Sequence, residues 1–193
     1  LKHPEVKRVH LVEIDEMVIE VCRQYLPELS SKLDDPRVEI HVADGVEFVK
    51  DRRQAYDVIL VDSSDPLGPA EGLFTQAFYA DAARALKKDG LLAVQSESPF
   101  FTPGLVREIH RAMRRHFPWV RLYMASIPTY STAPWGFMLA SRHYLESVGP
   151  RKSKPGLSTR YYSPEIHRAA FALPPYLKEL VQEDDEGRGA STA

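Results

Sequence analysis

The sequence predicts an α/β fold, a doubly wound sheet that is mostly parallel and carries an antiparallel pair at one edge. Three observations point there. Short apolar or β-branched runs alternate with helix-period segments through residues 9–140, as parallel strand–helix–strand crossovers require. The run 58–61, Val-Ile-Leu-Val, is apolar at every position, which suits a strand covered on both faces. The last two strand candidates have only residues 128–136 between them, no helix-length segment, and so read as an antiparallel pair.

The elements follow in order. Strand 9–14 runs into Asp15, a capping residue, and Val18, Ile19 and Cys22 make 16–25 an amphipathic helix stopped by Pro27. Strand 38–42 meets Asp44-Gly45 and a short helix at 46–52. After strand 58–61 comes a loop rich in Pro and Gly, then a helix at 75–86 stopped by Gly90 and a strand at 91–94. Pro103 opens a helix over 103–116, Pro118 follows it, and strands 120–127 and 137–140 complete the sheet. Beyond Gly149 the composition shifts to Pro, Ser, Lys and Arg, then to two short helices at 165–173 and 175–181. We expect one domain over 1–181 and a disordered polar tail at 182–193.

Composition narrows the function classes. Lys and Arg total 25 against 27 Asp and Glu, so there is no basic field to draw nucleic acid or an anionic membrane surface. The longest apolar run, 169–173, is far below the roughly 20 residues of a membrane-spanning helix. Cys22 is the single cysteine; no internal disulfide or cysteine-based zinc site is available, which favours a reducing cytoplasm.

In open α/β sheets ligands bind beyond the carboxyl ends of the strands, and here those ends are acidic. Glu13 and Asp15 close the first strand, Asp44 the second, Asp62 and Asp65 the third, and Gln95-Ser96-Glu97 the fourth. Glu13, Asp15, Asp44, Asp62 and Asp65 on one rim would repel one another unless a cationic or hydroxyl-rich ligand lies among them. Glu13 can accept from both hydroxyls of a ribose, or serve as an acid at a helix N-terminus. Asp44 with Gly45 can read an adenine edge, or form a turn or cap. Asp62-Ser63-Ser64-Asp65-Pro66 places two acids three apart in a constrained loop, which reads equally as a site or as a connection with capping acids.

The stretch DSSDPLGPAEGLF (62–74), with VEIDEMVIEVCRQYLP (12–27), ADG (43–45), IPTY (127–130) and Gly136-Phe137, resembles the spermidine synthases, the putrescine aminopropyltransferases, in register over about residues 1–141. The resemblance implies a Rossmann-like, methyltransferase-type catalytic domain that transfers an aminopropyl group from decarboxylated S-adenosylmethionine to putrescine. Spermidine and methylthioadenosine would be the products, with no metal or cofactor required. It implies that Glu13 holds the ribose and Asp44 and Gly45 the adenine, with Pro69, Ala70 and Leu73 lining the nucleoside pocket. Asp62 matches the proton acceptor and Asp65 the acid that holds the diamine, with Ser63 and Ser64 between them. Gln95 and Tyr130 match polar groups at the diamine channel. The family is usually a homodimer or homotetramer.

Chemistry agrees. A diamine is doubly charged at neutral pH and suits an acidic pocket. The attacking nitrogen must lose a proton, which a freely solvated aspartate accepts poorly; burial and the Asp65 charge are the means expected to make Asp62 more basic.

Leu1-Lys2-His3 stands where the family pattern ends a helix. The resemblance therefore implies a fragment without the first strand, its Gly-rich loop and a small N-terminal β-domain, expected to fold poorly and to be inactive alone. Putrescine N-methyltransferases and longer-polyamine synthases share the retained pattern. A non-catalytic polyamine- or nucleoside-binding or dimerising module is the alternative from another class. His110 and His116 with their arginines read as a solvated helix face, residues 151–154 as a solvent-facing basic patch, and Trp119, Tyr123 and Trp135 as packing.

Overall fold

The computed structural model describes residues 1–130, 134–143 and 159–182. Two sheets form among them. β1 (Val9–Glu13) and β2 (Val38–Val42) pair in parallel, Val9 opposite Val38 through Glu13 opposite Val42. The crossover between them is α1 (Glu16–Tyr25) and the short α2 (Pro27–Ser30). Asp15 starts α1, its Oδ1 accepting from the Met17 N–H at 2.9 Å, because the first-turn amides of a helix lack partners within it. Asp44 does the same for α3 (Gly45–Lys50), accepting from the Val46 N–H at 2.8 Å.

The second sheet runs β3-β4-β6-β5, where β3 is Tyr56–Val61, β4 Leu86–Gln95, β5 Trp119–Ala125 and β6 Trp135–Ser141. A 3-10 helix, Gly68–Phe74, and α4 (Gln76–Ala85) carry the chain from β3 to its parallel neighbour β4. After α5 (Pro103–Arg114), β6 enters between β4 and β5, antiparallel to both. The expected edge pair is present, and the antiparallel share is larger than one pair because β6 also bonds β4. The described chain ends with α6 (Pro164–Ala170) and α7 (Pro175–Gln182).

Period-two alternation sorts the four-stranded sheet into two faces. Ile59, Val61, Leu92, Val94, Val120, Leu122, Met138 and Ala140 belong to the core with Phe78 and Ala82 of α4, Val106, Ile109 and Met113 of α5, and Leu177 of α7. The other face is thinly covered. Val58 is 52% exposed and Leu60 75%, so β3 is not covered on both faces as its apolar run predicts. Among the described residues β3 is an edge strand of its sheet, with helices packed on the Ile59 and Val61 side, and an apolar run does not distinguish one covered face from two.

Gly90 does not stop a helix: α4 ends at Ala85 and Gly90 lies inside β4. The register steps from Tyr56–Leu86 to Val58–Leu91, so β4 bulges over residues 87–90. A Cβ at Gly90 would lie 2.8 Å from Leu86 Cδ2 and 3.1 Å from the Lys87 carbonyl, which only glycine avoids. The solvated-face reading of α5 also fails at His110, which is buried with Val106, Ile109 and Met113 on the inward stripe of the helix. The basic patch at 151–154 lies outside the described residues, as does the expected tail apart from Gln182, which closes α7. No described helix is long and apolar enough to cross a membrane.

Candidate active site

β1, β2 and β3 end in Glu13, Ala43-Asp44 and Asp62, and β4 ends in Gln95. Beyond the ends of β3 and β4 lies a cavity of about 490 Å³. Asp62, Ser63, Ser64, Asp65, Gln95 and Tyr130, the six residues that the resemblance assigns to the diamine, all line it. The cavity exists because the thinly covered face of the sheet is left open at this end: Leu60 and Ala93 form its floor with Phe137 of β6 and Tyr123 of β5, whose rings stack at 5.3 Å.

Gln95 organises the polar wall. Its Nε2 donates to the Ser63 carbonyl and to Glu97 Oε1, both at 3.2 Å, and its Oε1 accepts from the Glu97 N–H and from Trp135 Nε1, both at 3.0 Å. Trp135 in turn stacks on Tyr130 with centroids 4.4 Å apart. The buried amide thus ties the β3 loop, the β4 end and β6 together with all of these bonds made inside the protein.

Glu97, which the sequence places at the close of the fourth strand without a role, joins the site. It is 7% exposed and adopts φ of 66°, a left-handed backbone uncommon outside glycine. Gly136 holds it there: its N–H donates to the Glu97 carbonyl at 2.9 Å, and a Cβ at position 136 would come within 2.8 Å of that oxygen. Burial pushes the Glu97 carboxyl above its ordinary value; the Gln95 hydrogen bond opposes this, while the charge of Asp65 and a hydrogen bond with it raise it further. Burial beside Asp65 is the environment expected for Asp62, yet Asp62 is exposed. A carboxyl buried beside a second acid is a place where a bound cation relieves repulsion.

Trp135 and Tyr123, which the sequence reads as packing, also line the cavity, as does Glu97. The acid at the close of the fourth strand is the signal that could have drawn attention to Glu97.

The residues that the resemblance assigns to the nucleoside stand apart: none of Glu13, Asp44, Gly45, Pro69, Ala70 and Leu73 lines the cavity. The 3-10 helix lies against the start of α3, with Leu73 Cδ2 3.6 Å from where a Gly45 Cβ would stand and Val46 Cγ2 2.9 Å from that of Gly72. Ala70 is buried there and Pro69 exposed. Asp44 is engaged as the α3 cap, and Glu13 Oε1 accepts from the Asp15 N–H at 3.0 Å.

The model of the spermine/spermidine synthase domain family matches residues 1–149. The polyamine aminopropyltransferase of Moorella thermoacetica is 47% identical over 186 residues, spanning 96% of this chain and 66% of the relative. That of Thermoanaerobacter sp. (strain X514) is 44% identical over 183 residues, 95% and 66% of the two lengths. The chain thus spans just under two thirds of the length of these curated relatives. Among solved structures, a spermidine synthase in complex with the transition-state analogue AdoDATO superposes with a TM-score of 0.89 at 35% identity, covering 94% of this chain and 64% of that one. The spermidine synthase of Thermotoga maritima gives 0.86 at 35% identity, with 94% and 62% covered.

Proposed function

The chain belongs to the spermine/spermidine synthase domain family, and from that premise we propose that the protein transfers an aminopropyl group from decarboxylated S-adenosylmethionine to putrescine. The observation that carries this reading is the convergence of Asp62, Ser63, Ser64, Asp65, Gln95 and Tyr130 on one acidic cavity beyond the strand ends. Asp65 and Glu97 hold the distal ammonium of the diamine, whose positive charge relieves the repulsion between the two neighbouring acids. The aromatic wall of Trp135 and Tyr130 keeps the methylene chain straight and excludes water. The reacting ammonium faces Asp62, whose carboxylate takes one of its protons and frees the nitrogen lone pair. The lone pair attacks the carbon next to the sulfonium in line, a C–N bond forms, and the C–S bond breaks with its electron pair going to sulfur. Methylthioadenosine leaves as a neutral thioether, and the new secondary nitrogen keeps its two remaining protons as an ammonium. Glu13 and Asp44-Gly45 hold the ribose and adenine, with Pro69, Ala70 and Leu73 as the apolar lining.

The test is a product assay on the full-length protein, offering decarboxylated or ordinary S-adenosylmethionine with putrescine, cadaverine or spermidine. Spermidine and methylthioadenosine from the decarboxylated donor and putrescine are expected. Methylputrescine from the ordinary donor, or a product only with spermidine, would move the protein to a neighbouring activity. No turnover with any pair would leave a binding module.

A further inference from the structure

We propose that His10, Glu39 and His41 form a site for a divalent first-row metal ion, Zn²⁺ fitting best, which clips β1 to β2. None of the three lines the acidic cavity, and the proposed reaction does not pass through them.

The site follows from the parallel register. His10 lies opposite Glu39 and Val12 opposite His41, so period two brings all three side chains to one face of the pair. Glu39 divides its two oxygens. Oε1 faces Arg8 Nε at 3.3 Å, while Oε2 lies 3.3 Å from His10 Nε2 and 3.8 Å from His41 Nε2. One ligand atom from each residue lies within 4.8 Å of the others. Around tetrahedral zinc, with bonds near 2.0–2.1 Å, neighbouring ligand atoms stand about 3.3–3.4 Å apart. One edge of that figure is already at length, and the second is within about half an ångström.

Both imidazole Nε2 atoms are shut away from solvent and make no hydrogen bond, an uncommon state for a buried polar atom. The other nitrogen of His10, Nδ1, lies 3.1 Å from the Tyr56 hydroxyl. That is the outer contact that orients a metal-binding histidine and directs the lone pair of Nε2 inward. Phe48 walls the site, its ring 4.8 Å from that of His41 and 6.0 Å from that of His10. The Glu39 side chain is 47% exposed, which leaves an entry path and room for water as a fourth ligand. Two imidazoles and a carboxylate match Zn²⁺ and neighbouring transition metals rather than Ca²⁺ or Mg²⁺, which take oxygen sets. Arg8, and Arg52 packed 4.6 Å above the Phe48 ring, place positive charge nearby and set the affinity below that of a four-ligand structural site.

The test is calorimetric titration of EDTA-stripped, dialysed protein with ZnSO₄, together with thermal melts. One saturable equivalent per chain is expected, with the melting temperature rising by roughly 5–10 °C at a hundredfold excess over Kd. Zinc-edge absorption of the loaded protein should report two imidazoles. Glu39→Gln and His41→Gln should each weaken binding at least tenfold with unchanged far-ultraviolet circular dichroism, whereas Cys22→Ser should leave it intact. Should His41→Gln misfold, the surface variant Glu39→Gln decides. Absence of saturable binding means the histidines are aromatic packing around a simple ion pair and overturns the proposal. Undiminished zinc binding by a folded Glu39→Gln protein overturns it too.

Discussion

The two sheets of this molecule are built to different standards. The four-stranded sheet presses one face against α4, α5 and α7 and supplies Leu92, Val94, Val120, Leu122, Met138 and Ala140 to the core. The β1–β2 pair supplies no strand residue to it; all five residues of β1 are half-buried, and Ile14, Met17, Val18, Val21 and Val42 are exposed apolar positions on or beside the pair. The candidate site straddles the difference. Its cavity wall stands on the packed sheet, held by the Gln95 bonds, whereas Glu13 and Asp44 stand on the thin one. A rigid wall positions a proton acceptor against a nitrogen; a thinly packed rim is stabilised by whatever binds it.

Four measurements break or sharpen that contrast. The largest effect is expected at Asp62. In the full-length protein Asp62→Asn should lower kcat by about 10²–10⁴-fold, the usual contribution of a positioned base, with the acceptor KM changed only a few-fold; near-normal turnover would remove Asp62 from the base role.

Next comes stability. Met113→Ala in the packed half should cost about 2–5 kcal/mol by urea unfolding, and Val12→Ala in half-buried β1 well under half as much. Equal costs would erase the contrast between the sheets.

Trp135→Phe keeps a ring against Tyr130 and removes the donor to Gln95 Oε1, a loss of about 1 kcal/mol. It should appear as a several-fold rise in acceptor KM with little change in the melting temperature. An unchanged KM would make Trp135 packing alone.

The smallest effect concerns Glu97. Its carboxyl lies above the ordinary 4.5 in the folded chain, so the folded state binds the proton more tightly than the unfolded state does. Stability from this group is therefore fully present below about pH 4.5 and lost as pH rises through the folded value. Glu97→Gln should flatten that decline in a series of melts across pH 4–8; an identical slope would place the pH dependence elsewhere.

Much of this was legible in advance. Helix starts at Asp15 and Asp44, the order of strands and helices, and the antiparallel edge pair follow from side-chain chemistry and spacing within a few residues, and the structure keeps them. Asp62, Asp65 and Gln95 were nameable because strand ends are where an α/β sheet exposes its polar atoms; Ser63, Ser64 and Tyr130 were named by the family resemblance. Glu97 and Trp135 were hidden for a shared reason. Their roles come from the left-handed turn at Glu97 and its contact with Gly136 on β6, and sequence spacing does not encode which strand slides in beside β4. His110 was misplaced because six residues of helix with three arginines look solvated until the neighbouring sheet defines the inward stripe.

By itself, the sequence determined the local periods and the caps, which covalent geometry and short-range hydrogen bonding set, together with the acidic strand ends and the motifs that carry the family resemblance. Tertiary structure alone decided which face of β3 is covered, that a buried Gln95 binds Trp135 and Glu97 across two strands, and that His10 and His41 meet over one carboxylate oxygen. Burial and the convergence of distant side chains depend on how the elements pack, and each chain position acquires its neighbours, dielectric surroundings and charge partners only then.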